Sequence, residues 1–155
     1  MTSLVHDLWP HARRAIGWLE MLQPVAQLAA RLYVAQAFFL SGLTKLRDWD
    51  TTLALFQDEY HVPLLPPGLA AVMGTTGETV LPVLLVLGLA GRFAAAGLSV
   101  VNVVAVLSLT EIAPAAFQQH QFWGSLLIGL LLWGPGHLSI DALLARRFGG
   151  ATRSA

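Results

Sequence analysis

Glu78 is the only charged residue between about Gly68 and Ala90, and Arg31 is the only one between about Val25 and Leu43. An ionisable group inside an apolar stretch of that length is costly and is kept where it has a partner or a task. At about 1.5 Å per residue, Arg31 sits roughly 9 Å in from Val25 and Glu78 roughly 15 Å in from Gly68. An arginine side chain spans that difference, so the spacing predicts an Arg31–Glu78 ion pair. Asn102 lies about 14 Å in from Phe93, close to the level of Glu78. Gln36 has a similar depth but follows Arg31 by five residues, which puts it on another helix face. Pro82 cannot bond the carbonyl of Glu78, so an acceptor is freed beside the carboxylate. Two roles fit this constellation. It is a buried polar lock between helices, or Glu78 with Arg31 polarises a ligand and accepts its protons.

Other chemistries lack their residues. The chain has no cysteine, which excludes disulfides, thiol redox catalysis and thiolate-held metals or clusters. His61 and His120 fall near Glu59 and Glu111 without tight spacing, so no metal site is expected. His137 is read as a polar group at a helix end. HExxH, GxSxG, P-loop and GxGxxG patterns are absent. A formal net charge of +0 argues against a nucleic-acid partner. No bound cofactor is expected, and a quinone is the one redox molecule for which room is left.

The elements that hold these residues follow from composition. Of 155 residues, 55% are hydrophobic and 12% charged, against roughly 45–50% and about 25% in soluble domains. Four stretches are long and apolar enough to cross a bilayer: about 25–43, 68–90, 93–112 and 122–138. The expected fold is all-α: an integral membrane antiparallel four-helix bundle with interfacial amphipathic helices. Residues 1–24 form an N-terminal interfacial segment, in which Trp9, Ala12, Ile16, Leu19 and Gln23 fall at helical spacing and no cleavable leader is evident. Residues 25–148 form the membrane domain, and 149–155 a flexible tail. Leu46, Trp49, Leu53, Phe56 and Tyr60 step by 3, 4, 3 and 4, giving an amphipathic helix over about 46–61 with Trp49 and Tyr60 as interface anchors. It serves as a lid on the bundle end or as a docking surface. Gly134-Pro135-Gly136 stops the last span, and Ser139-Ile140-Asp141 starts a short helix to Phe148. Arg13, Arg14, Arg92, Arg146, Arg147 and Arg153 fall on one side of the four spans, and Lys45 and Arg47 on the other. That bias puts both termini in the cytoplasm of a multi-pass protein of the bacterial inner membrane.

Several of these residues resemble the DoxX family. Arg31 followed by Phe38-Phe39-Leu40-Ser41-Gly42-Leu43-Thr44-Lys45 is similar to its first-helix signature. Glu78 followed by Gly88-Leu89-Ala90-Gly91-Arg92-Phe93-Ala94-Ala95 resembles its second-helix carboxylate and Gly-x-x-x-Arg turn. Gly134, Pro135, Gly136, Ser139 and Asp141 match its Gly-Pro-Gly-x-x-Ser-x-Asp ending. The resemblance covers about Ala29 to Leu144. It implies a small four-helix inner-membrane protein and no single activity. The family name comes from a subunit of a thiosulfate:quinone oxidoreductase, and other members are encoded beside redox, stress or metal-handling enzymes. It supplies no settled catalytic set, so Arg31, Ser41, Gly42, Lys45, Glu78 and Arg92 match by position only.

The expected function is a membrane subunit or accessory factor for a redox or metal-handling system. The alternative is a quinone-linked oxidoreductase component with Glu78 and Arg31 at an intramembrane site. Alone, the chain is not expected to be an enzyme; if enzymatic, it is an oxidoreductase subunit. Without flavin, haem or thiol it has no electron store, so a protein partner must supply electrons. The lipid bilayer is the other expected partner, and pairing with further copies of the chain is left open.

Overall fold

The computed structural model describes residues 2–148, and the side chains of all of these except 2–8, 10–12 and 15. The expected tail, 149–155, lies outside the described residues. Six helices follow in order: α1 (Thr2–Arg47), α2 (Trp49–Asp58), α3 (Pro67–Leu87), α4 (Gly91–Leu107), α5 (Pro114–Trp133) and α6 (Ile140–Phe148). No strand occurs among the described residues, so the all-α expectation holds.

Local chemistry sets the boundaries. The Asp48 carboxylate accepts from the Thr51 backbone N–H at 3.0 Å and caps α2. That bond, with a second from the Thr51 hydroxyl at 2.7 Å, holds the Asp48 carboxyl below the usual aspartate range. Proline opens α3 and α5, where its missing N–H costs nothing. Gly88 ends α3 in the left-handed region at φ 63°. Ala90 is also left-handed, at φ 49°. The α3–α4 link is therefore Gly88-Leu89-Ala90, a little earlier than the Gly91-Arg92 joint expected from sequence. Ser139 accepts from the Ala142 N–H at 3.2 Å and caps α6, as its position predicts.

α1, α3, α4 and α5 pack in a ring, each against the next. Val34 and Phe38 of α1, Leu85 of α3, Ala94 and Leu98 of α4, and Leu127 of α5 fill its centre. α2 covers one end by packing Phe56 onto Ala70 and Ala71 of α3. That is the lid role. Trp49 and Tyr60, expected as anchors at the interface, turn into this cluster instead. They gain more apolar contact against Phe56 than at a wet boundary, and the Phe56 and Tyr60 rings stack edge to face at 5.1 Å.

Two expectations change. α1 runs through residue 24 without a break, so no helix end marks the boundary expected there. Among the described helices, α3 alone combines the length and apolar character that suffice to cross a bilayer, with α4 apolar but 17 residues long. Gln118, Gln119, His120 and Gln121 dilute α5, and Arg31 and Gln36 dilute α1.

Close approach of α1 and α3 depends on Gly42. A Cβ there would lie 2.7 Å from Thr79 Cγ2 and 3.0 Å from the Glu78 carbonyl carbon. Gly42→Ala should therefore push the helices apart at a cost of about 1–3 kcal/mol. A lowered melting temperature in detergent checks this, and an unchanged one counts against the α1–α3 register.

Candidate functional site

The α1–α3 register separates the residues expected to pair. Arg31 is fully buried level with Gly88, where an added Cβ would strike its guanidinium. Glu78 lies ten residues back along α3, roughly 15 Å away. The predicted Arg31–Glu78 ion pair is not formed. Hydropathy placed the start of the first span at Val25, but helix contacts set the actual level, and Arg31 falls at the bundle end.

Glu78 pairs with Lys45 instead. Lys45 Nζ lies 2.5 Å from Glu78 Oε2 and donates to Ser41 Oγ at 2.9 Å. Side chains on a helix lean toward its N-terminus, which turns Lys45 back from the end of α1 onto Ser41 and Glu78. The two side chains are 18% and 10% exposed, so the pair is shielded from water. The apolar run ends at Leu43, so hydropathy alone puts Lys45 in the outer loop.

Asn102 is buried on α4 and meets His120 of α5. Its Nδ2 donates to the His120 carbonyl at 3.0 Å, which fixes the amide orientation. Asn102 Oδ1 then faces His120 Nδ1 at 2.8 Å. An amide oxygen only accepts, so Nδ1 carries the proton and Nε2 of the neutral ring is left as an acceptor. Gly124 gives Asn102 its room, since a Cβ there would sit 3.2 Å from Nδ2. Sequence reading missed His120 as a site residue. Its polar Gln-Gln-His-Gln run fell outside the apolar window, yet Pro114 starts α5 two turns earlier.

Lys45, Glu78 and His120 share one cavity of about 420 Å³ between α1, α3, α4 and α5, partly covered by Phe56 of α2. Phe38, Met73, Val101 and Val104 make its apolar walls. Ser41, Lys45, Glu78, His120 and Tyr60 bring polar atoms to it. Burial pushes the Tyr60 phenol up, and Glu59 and Glu78 push it further, so it stays protonated and able to donate. Trp123 also lines the cavity, and its buried indole N–H has no partner among the described residues. An apolar chamber with a few converging donors and acceptors has the make-up of a small-molecule site. Among the described residues no three His, Asp or Glu side chains converge as metal ligands.

The remaining candidates lie elsewhere. Gln36 is exposed on the outside of α1. Arg31 donates to the Leu138 carbonyl, while its Nε and Nη1 have no partner among the described residues. Asp141 lies in the first turn of α6, where its charge is favourable, and it also reaches across to α4. Its carboxylate oxygens accept from the Ala90 and Gly91 N–H groups, each at 2.8 Å, and so cap α4. The Asp141 N–H donates to the Gly88 carbonyl at 2.9 Å. Pro135 packs where a Cβ on Gly91 would be, and Arg92 packs beside Gly134. The family-motif residues Arg31, Gly88, Gly91, Arg92, Gly134, Pro135, Ser139 and Asp141 thus form a clasp at the bundle end opposite α2.

This is a small helical chain that encloses an apolar cavity with an ion pair and an oriented imidazole on its walls. It belongs to the DoxX family, whose model matches residues 26–111. The family is typically membrane-associated, in keeping with the one sufficient apolar helix, α3. The chain is 28% identical over 131 residues to an uncharacterized protein of Haemophilus influenzae, covering 79% of this chain and 85% of that protein. No solved structure matches the chain.

Proposed function

We propose that this protein is a four-span subunit of the bacterial inner membrane, with both termini cytoplasmic, that binds a quinone in its cavity on behalf of a redox partner. Lipid as solvent is supported by what the helices leave outside. Only 33% of the apolar window of α3 is buried, and Phe93, Val100, Val103 and Leu107 of α4 and Ile128, Leu132 and Trp133 of α5 are exposed. In water, so much contiguous apolar surface would drive aggregation.

The observation that carries the ligand reading is the cavity with Lys45–Glu78 and His120 lining it. Reduction of a quinone to a quinol takes up two electrons and two protons, one proton at each carbonyl oxygen. The electrons come from the cofactor of the redox partner. Lys45, Tyr60 and the Trp123 N–H are donors for the carbonyl oxygens. Glu78 and His120 Nε2 are the acceptors that take the protons back when a quinol is oxidised. The same cavity favours the redox branch of the accessory role over metal handling.

Purification of the full chain in mild detergent should bring down a stoichiometric partner with quinone-dependent turnover. His120→Phe should cut that turnover by about 10²-fold or more while the complex still assembles. Wild-type turnover in the assembled His120→Phe complex would overturn the reading.

A further inference from the structure

We infer that α1 pairs with α1 of a second copy of this chain, along a seam that starts outside the membrane and continues into it. α1 has two faces. Arg31, Val34 and Phe38 are buried against the bundle. On the opposite side Trp18, Leu22, Val25, Ala29, Leu32 and Gln36 are all exposed, at steps of 4, 3, 4, 3 and 4. That is the a/d seam of a two-stranded coiled coil, apolar except for one amide.

Lipid accounts for only part of this seam. Gln27 still packs on Gly136 at the bundle end, and Trp18 precedes it by nine residues along the same unbroken helix. Trp18 therefore stands roughly 14 Å beyond the bundle end. Trp18, Leu22 and Val25 are 68%, 60% and 56% exposed there. A helix that continues out of the bundle through residue 24 does not turn to lie flat on the bilayer. A lone helix carrying such side chains in water is marginal. Within the bilayer the exposed Gln36 amide needs a partner of its own.

A second copy meets both needs. Copies inserted in one membrane share one orientation, so two α1 helices run parallel and each seam residue faces its equivalent. An amide is both donor and acceptor, so Gln36 complements Gln36 of the second copy, as a charged residue would not. This inference rests on the membrane placement proposed above and not on the ligand.

The chain has no cysteine, so single cysteines report cleanly. Leu22→Cys, Val25→Cys and Ala29→Cys in the full chain, oxidised in native membranes, should each give a disulfide dimer, since seam Cα atoms come within bonding range. The exposed off-seam positions, Glu20→Cys and Gln23→Cys, should give several-fold less. Gln36→Leu should weaken dimerisation of the Val25→Cys chain roughly threefold. Equal yields around the helix, or an adduct of another mass, would overturn the pairing. So would monomer throughout with Trp18→Cys shielded from a water-soluble maleimide, which would put this face on lipid. Alkaline extraction of the same membranes tests the placement separately.

Discussion

Glu78→Gln is expected to reduce quinone turnover by about 10²-fold or more, because it removes a carboxylate that carries protons at the ligand. The same change leaves the Lys45 ammonium without its countercharge. Truncation of one partner of a shielded pair costs about 3–5 kcal/mol. With the pair 18% and 10% exposed, the lower part of that range is expected, read as a fall in melting temperature. Stability loss and activity loss are separable. Glu78→Leu with Lys45→Met replaces both charges by apolar side chains of similar size, which restores most of the stability. Turnover should stay low in that double variant. Full turnover in a stable double variant would reduce the pair to a lock between α1 and α3.

Asp141→Ala should cost about 2–3 kcal/mol of stability. Its carboxylate satisfies two N–H groups at the start of α4, each at 2.8 Å, where the helix dipole also favours negative charge. Its charge also favours the ionised form of the buried Arg31. It also pins Ala90 in a left-handed conformation that favours glycine. Asp141→Asn keeps one acceptor and should lose about half as much. Denaturation of the three proteins in the same detergent gives the order wild type, Asp141→Asn, Asp141→Ala. Equal stability of Asp141→Ala and wild type would mean that the clasp contributes nothing.

Much of this was legible in the residues. The helical stripe Leu53, Phe56, Tyr60 located α2, and Ser139 located the start of α6. The lone Glu78 and the buried Asn102 marked the levels where polar groups collect. Their partners were not legible. Arg31 was matched to Glu78 by depth from the edge of an apolar run, whereas register is set by contacts such as Gly42 against Thr79 and Gly88 against Arg31. Lys45 stood past the end of that run, but a long flexible stem carries its ammonium back by a turn of helix. His120 was hidden for a related reason. Hydropathy ends a span at a polar turn, while the backbone of α5 continues helical through Gln118–Gln121 to Pro114. The reach of Asp141 to α4 was not legible, because nothing local reports that residues 88–91 fold next to it.

Direct binding is the plainest test of the proposed quinone site. The full chain in lipid nanodiscs is titrated with a short-chain quinone while tryptophan emission is followed. Trp123 lines the cavity, so quenching should saturate and should largely vanish in Trp123→Phe. Gly74 also faces the cavity, with Phe56 Cζ 3.5 Å from an added Cβ, so Gly74→Leu should plug it and abolish saturable quenching. Quenching that rises linearly without saturation, or that survives Gly74→Leu unchanged, would contradict the proposal.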